Sequence, residues 1–301
     1  MPFPDKTSDN VLDKVLIIGL GLIGGSLARS LKQSGHCREV VGHSYRDYSL
    51  KKGVELGVID GYSLDLDEAL AGVEVVVVAT PVLIAQDTLR NIFTRVGPDT
   101  VVTDVASVKG SLLQAAREGC GGEVPPNLVL GHPIAGSERN GLDASSADLF
   151  VDHRVILTPT VETAPAALEK VRRMWLSTGA RVQELAVAEH DAILAATSHL
   201  PHVLAYALVD ALAHSEASQD IFNFAAGGFR DFTRIASSDP VMWRDIALGN
   251  REELLRAIDM FAAHLQRLRN AVDTGDGEAM HKIFTHAKAT RDAFAAKKGS
   301  D

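Results

Sequence analysis

The sequence predicts an α/β sheet domain followed by an all-helical part, and two observations carry that prediction. From residue 14 to about 186, short β-branched runs alternate with helix-length stretches: "KVLIIG", "EVVG", "VEVVVVAT", "DTVVTDV", "LVLGHP", "RVILTP" and "RVQEL". Such alternation is the pattern of βαβ units and of a mostly parallel sheet covered on both faces. After about residue 187, "AEHDAILAATSHLPHVLAYALVDALAH" and "PVMWRDIALGNREELLRAIDMFAAHLQRLRNAV" carry apolar residues at helical spacing with no strand-like alternation. The expected domains are 1–186 and 187–301, closely abutting, because neither a low-complexity linker nor a solenoid-period repeat intervenes. Residues 1–13 and the tail "KKGSD" read as mobile ends.

Composition narrows the function classes. A 301-residue chain that is 46% hydrophobic and 23% charged has the make-up of a soluble globular protein. Its strongly apolar runs are short, as in "VVVVA" (75–79), against the roughly 18 residues a membrane span needs, so no membrane partner is expected. The start lacks the charged and apolar regions of a signal peptide. Only Cys37 and Cys120 are present, which rules out a disulfide framework and points to the cytoplasm. A net charge of -9 argues against a nucleic-acid partner, and any anionic ligand needs local cations.

"VLIIGLGLIGGSLARSL" (15–31) reads as a strand, then Gly19-x-Gly21-x-x-Gly24, then a helix. Gly19 permits the tight turn, Gly21 lets backbone approach a pyrophosphate, Gly24 lets helix pack on strand, and the helix N-terminus offers unpaired N–H groups. This predicts a Rossmann-type dinucleotide-binding domain, with Leu22, Ile23, Thr80, Pro81 and Ser107 completing the cofactor contacts. About 20 residues after the last glycine, where NAD-binding chains place an acid for the ribose, stand Ser44 and, two on, Arg46. A hydroxyl and a guanidinium suit a 2'-phosphate, so the reading leans to NADP over NAD, with Asp47 on the ribose in a shifted register as the alternative.

"GLGLIGGSLARSL", "TDVASVKG" (103–110), "GHPIAGSERNG" (131–141), "VILTPT" (155–160), "SHLPH" (198–202) and "GGFRDFTRIASSDPVMWRDI" (227–246) together resemble the prephenate and arogenate dehydrogenases of tyrosine biosynthesis, over about residues 14–295. The resemblance implies oxidative decarboxylation. A hydride leaves the ring carbon bearing the 4-hydroxyl for a nicotinamide, a base takes the hydroxyl proton, and loss of CO2 aromatises the ring. It also implies a homodimer formed through the helical part, whose long apolar helices need partners.

By resemblance His132 is the base or hydrogen-bond acceptor, and its place after the strand-like "NLVL" puts it where open α/β sheets hold ligands. Ser107 by resemblance hydrogen-bonds that histidine and the substrate hydroxyl; read alone, it is a helix N-cap. Arg234 resembles the arginine that clamps a substrate carboxylate, with Arg230 as its competitor and Glu138 as its pairing glutamate. Lys109 is either a further cation in the cleft or a solvated lysine.

His199 and His202, three apart, share a helix face. Zinc needs three or four ligands and the HExxH signature is absent, so no metal is expected. Pro201 between them should interrupt the helix locally. By resemblance Ser198, His199 and His202 line the substrate pocket, and a cationic or donor His202 would favour the keto acid prephenate over the ammonium-bearing arogenate. His190 and Asp191 read as a helix start whose acid suits the dipole, and Trp243 as a core residue. Two rival functions remain open: a β-hydroxy-acid dehydrogenase, and a nucleotide-binding protein without turnover.

Overall fold

The seven strand-like runs become eight strands in one sheet: β1 (Leu12–Ile18), β2 (Cys37–His43), β3 (Gly61–Ser63), β4 (Val75–Val78), β5 (Val101–Asp104), β6 (Leu128–Pro133), β7 (Arg154–Thr158) and β8 (Arg181–Glu184). The computed structural model describes residues 11–136 and 139–298, so the lead-in 1–10 and Glu138 lie outside the described residues. Strand order is β3-β2-β1-β4-β5-β6-β7-β8. The strand missing from the sequence reading is β3, whose three residues are too few to show a period.

Helices α1 (Leu22–Ser34), α2 (Asp47–Glu55), α3 (Leu66–Leu70), α4 (Val82–Ile92), α5 (Gly110–Gly119) and α6 (Pro165–Leu176) connect or cover the strands. β1 to β6 run parallel, whereas β7 returns antiparallel to β6, pairing His132 with Ile156. The β6–β7 connection holds only a short 3-10 turn, Leu142–Ala144, among its described residues. Without a crossover helix the chain turns back instead of repeating a βαβ unit. The sheet is buried on both faces: Val75 and Val77 of β4 enter one core with Leu27, Leu31 and Trp175, and Val76 and Val78 enter the other with Leu89 and Leu112. Each such side chain contributes about 1.5–3 kcal/mol on burial, which is why "VVVV" can dispense with alternation.

After β8 the described residues form no strand. Helix α7 (Val187–Leu194), a π-helical turn (Ala195–His199) and α8 (Leu200–Ala213) make one continuous run. Then follow α9 (Ser218–Asn223), α10 (Gly227–Thr233), α11 (Pro240–Gly249), α12 (Arg251–Asp273) and α13 (Gly277–Lys298). The break expected at Pro201 takes the form of the π turn, where Leu200 N–H bonds Ala195 C=O five residues back. Val187–Ala213, at 27 residues, is long and apolar enough by length and composition to cross a membrane, although polar residues interrupt its apolar runs. Its polar side chains His190, Asp191 and His199 are buried against protein groups.

The chain parts into two compact units, Met1–Arg251 and Glu252–Asp301. Residue 186 marks the change from strands to helices, but α7 and α8 stay in the first unit. Asp191 of α7 accepts the Lys109 and Gly110 N–H groups, which fastens that helix to the sheet domain.

Candidate active site

The glycine loop is built as its spacing demands. Gly19 has φ +99°, and a Cβ there would meet Ala79 O at 2.6 Å; a Cβ on Gly24 would meet Gly19 O at 2.2 Å. Gly21 differs, since a Cβ would meet nothing within 4 Å: it faces open space at the N-cap of α1, with no side chain capping the helix. Unclaimed N–H groups behind an unobstructed approach fit a pyrophosphate. The crevice lies outside β1 and β4, where strand order reverses.

A cavity of about 530 Å³ opens from this loop. Gly21, Leu22, Ile23, Thr80 and Pro81 line it beside the glycine loop, and Ser107, His132 and Ser198 line it as well. Ser44 directly follows β2, Arg46 is exposed as the N-cap of α2, and Asp47 opens that helix, paired with Lys51 at 2.6 Å.

His132 is buried at the cavity wall, with its Nδ1 turned into the protein. His132 Nδ1 lies 2.9 Å from His190 Nε2, and His190 Nδ1 lies 2.8 Å from Asp191 Oδ1. Asp191 accepts from Lys109 N at 2.9 Å and Gly110 N at 2.7 Å, at the start of α5. The dipole served by Asp191 is therefore that of another helix, and the sequence reading of His190 and Asp191 as a plain helix start missed both. Burial holds the His132 imidazole well below the usual histidine range, with Lys109, His190 and His199 adding to it. Burial likewise lowers His190, against the pull of Asp191. For Asp191, burial pushes the carboxyl up, but the hydrogen bonds from His190, Gly110 and Lys109 outweigh it and leave it below the usual range.

Lys109 is neither in the cleft nor solvated: it is fully buried, with Nζ 2.5 Å from Asp104 Oδ2 and 2.6 Å from Gly131 O. Asp104 also accepts from Ala106 N and Gly131 N. Burial drives this carboxyl up and this ammonium down, and the ion pair opposes both shifts. The result is a polar rivet joining the ends of β5 and β6, beside His132. Ser107 stands on the cavity wall, but α5 begins at Gly110 with Lys109 as N-cap, so the N-cap reading of Ser107 fails.

The opposite wall comes from α11 and the segment before it. Asp239, Val241, Met242 and Trp243 line the cavity. Trp243, read as core, packs on the core and borders the cavity at once. His202 stacks on it, ring centroids 3.5 Å apart at 19°, placing the histidine behind the indole. Its Nδ1 donates to Ser198 C=O at 2.8 Å. Burial and the nearby Arg234 cation lower its pKa, against the pull of the Ser198 carbonyl; in the neutral ring Nε2 is then an acceptor. Arg234 itself is exposed, as is Arg230 in α10.

His199, expected on the pocket wall, is 1% exposed and sits deeper. Its Nδ1 meets Asn250 Nδ2 at 3.2 Å, and burial pushes the ring down to about 4, against the pull of Asp191 and the Ser107 backbone. Of the expected substrate-holding set, Ser198 lines the cavity, His202 stacks on the cavity-lining Trp243, and the exposed Arg234 lies near enough to His202 to bear on its charge.

Two family models divide the chain: "Prephenate dehydrogenase, nucleotide-binding domain" matches residues 27–184 and "Prephenate dehydrogenase, dimerization domain" matches 186–286. A cyclohexadienyl dehydrogenase from Zymomonas mobilis is 34% identical over 93% of this chain and 96% of its own length. A prephenate dehydrogenase from Bacillus subtilis is 36% identical over 94% of this chain and 76% of its own. The crystal structure of prephenate dehydrogenase from Aquifex aeolicus, in complex with hydroxyphenyl propionate and NAD+, superposes with a TM-score of 0.87 at 36% identity, covering 94% of this chain and 98% of that one. A glycine-loop crevice continuous with a buried histidine, and matches that run through both halves, agree: the chain is a nicotinamide-dependent dehydrogenase and belongs to the prephenate dehydrogenase family.

Proposed function

We propose that this protein oxidatively decarboxylates prephenate to 4-hydroxyphenylpyruvate in tyrosine biosynthesis. The observation that carries the reading is the single cavity shared by the glycine loop and His132. A bound nicotinamide supplies the two-electron acceptor for the hydride from the ring carbon bearing the hydroxyl. His132, neutral in its buried setting, accepts the hydroxyl proton as the C=O bond forms. The electrons of the breaking C–CO2 bond then aromatise the ring, and the phenolate oxygen regains a proton. Ser107 shares the hydroxyl, and Ser198 and Arg234 hold the carboxylate-bearing side chain. Glu138 is proposed, by resemblance, to pair with the clamp arginine.

A second reading, arogenate as substrate, is favoured by His202. A neutral ring whose Nδ1 donates to Ser198 C=O offers Nε2 as an acceptor, which suits an ammonium. For the cofactor, Ser44 and Arg46 after β2 support NADP, Asp47 being engaged with Lys51. The large apolar side chains Leu255, Met260, Leu265, Val272, Phe284 and Phe294 exposed on α12 and α13 support a homodimer. The free thiols Cys37 and Cys120 suit the cytoplasm.

The test is a four-way assay of prephenate or arogenate with NAD or NADP, repeated on Ser44→Asp. Turnover of prephenate is expected, with the NADP preference lost in the variant. No turnover of either acid would sink the reading, and an unchanged cofactor ratio would sink the placement of Ser44.

A further inference from the structure

We propose that His190 and Asp191 are positioning residues that lock His132 in the tautomer whose Nε2 is unprotonated, so that the acceptor nitrogen is set before substrate arrives. The proposal rests on the reading of His132 as proton acceptor. Its argument starts at the far end of the chain of hydrogen bonds. Asp191 takes two backbone N–H groups, those of Lys109 and Gly110, at a helix start where donors lack intrahelical partners and the dipole favours an anion. Gly110 is part of the fit, for a Cβ there would meet Asp191 Oδ2 at 2.9 Å.

A carboxylate only accepts, so His190 Nδ1, 2.8 Å from Asp191 Oδ1, must carry the proton. A neutral imidazole has one donor and one acceptor nitrogen, so His190 Nε2 accepts. His132 Nδ1, 2.9 Å away, therefore donates, and its Nε2 keeps the lone pair. The opposite tautomer of His132 would set two lone pairs against each other at 2.9 Å, or require His190 to become a cation. The charged and titratable groups bearing on this pair are Asp191 and Asp104, which favour protonation, and Lys109 and His199, which oppose it. When His132 Nε2 takes a proton, its Nδ1 proton faces an acceptor with the Asp191 anion behind it, so the charge is met inside a buried network.

The test combines spectroscopy with a pair of substitutions in the full-length protein. With 15N-histidine labelling, His132 is expected to carry its proton on Nδ1 at neutral pH. His190→Gln preserves the order of donors, since the amide oxygen accepts from His132 and the amide nitrogen donates to Asp191; it is expected to keep kcat within about tenfold. His190→Leu removes the acceptor and is expected to lower kcat by about 10²–10⁴-fold at nearly constant KM, the scale of losing one correctly protonated base. A proton on Nε2 of His132 in the unsubstituted protein, or a folded His190→Leu variant as active as His190→Gln, would overturn the proposal. The spectrum needs no turnover, so an enzyme inactive on prephenate and arogenate would refute the function while the tautomer is still decided.

Discussion

Around His132 the polar groups are buried and answer one another, from His190 through Asp191 to the backbone of α5. Around His202 the arrangement is looser: the ring rests on Trp243 and its charged neighbour, Arg234, is exposed. The side proposed to handle the proton is thus fixed by the fold itself, its members buried and hydrogen-bonded to one another. The side proposed to hold the substrate hangs on exposed side chains carried by α10, α11 and the turn between them. Proton transfer demands a preset geometry, whereas a carboxylate clamp can close around its ligand.

That contrast can be broken by substitution. The largest effect is expected for His132→Asn, a fall in kcat of about 10²–10⁴-fold with KM nearly kept; steady-state kinetics that showed full activity would remove His132 from the chemistry. Next comes Lys109→Met, which leaves Asp104 buried without its cation and is expected to cost about 3–5 kcal/mol of folding stability, read by denaturant titration. Arg234→Gln should do the opposite. Being exposed, it should shift stability by less than about 0.5 kcal/mol while raising KM about 10–100-fold with kcat little changed, the worth of a charged hydrogen bond. A mainly kcat effect there would erase the distinction between the two sides.

The smallest effect is on pH dependence. Burial lowers the pKa of His132, His190, His199 and His202, His199 to about 4. The unfolded chain takes up these protons near the ordinary value of about 6.5, the folded one only below it. Between those limits the unfolded state binds more protons, so stability falls as pH drops from about 6.5 toward about 4 and is fully present above that window. Denaturation midpoints at neutral and mildly acid pH check this, and equal midpoints would mean these rings are not held neutral.

Much of this was legible in the sequence, and the exceptions share a cause. The glycine loop is read correctly because its three requirements are local: one turn, one approach, one packing contact. The helical half is equally plain from its periodicity. Asp104 was passed over, and Lys109 was assigned to solvent or cleft, because the contact between them depends on two strand ends converging. His190 and Asp191 looked bland because their partners lie 58 and 82 residues away. The Ser198 carbonyl that takes the His202 Nδ1 proton sits in the π turn, which no spacing rule singles out.

That turn has a consequence for how insertions and deletions read in this chain. An α-helix advances about 100° per residue, and a π turn holds one residue more than the regular winding requires. Deleting any one of residues 195–199 would let Val187–Ala213 relax into an unbroken α-helix. The flanking turns would keep close to their present phase, because the residue removed is the one the wider turn absorbs. A deletion elsewhere in the run, with no wide turn to absorb it, would instead rotate everything beyond it by about 100° and swing His202 off Trp243, a loss of phase and not of fold.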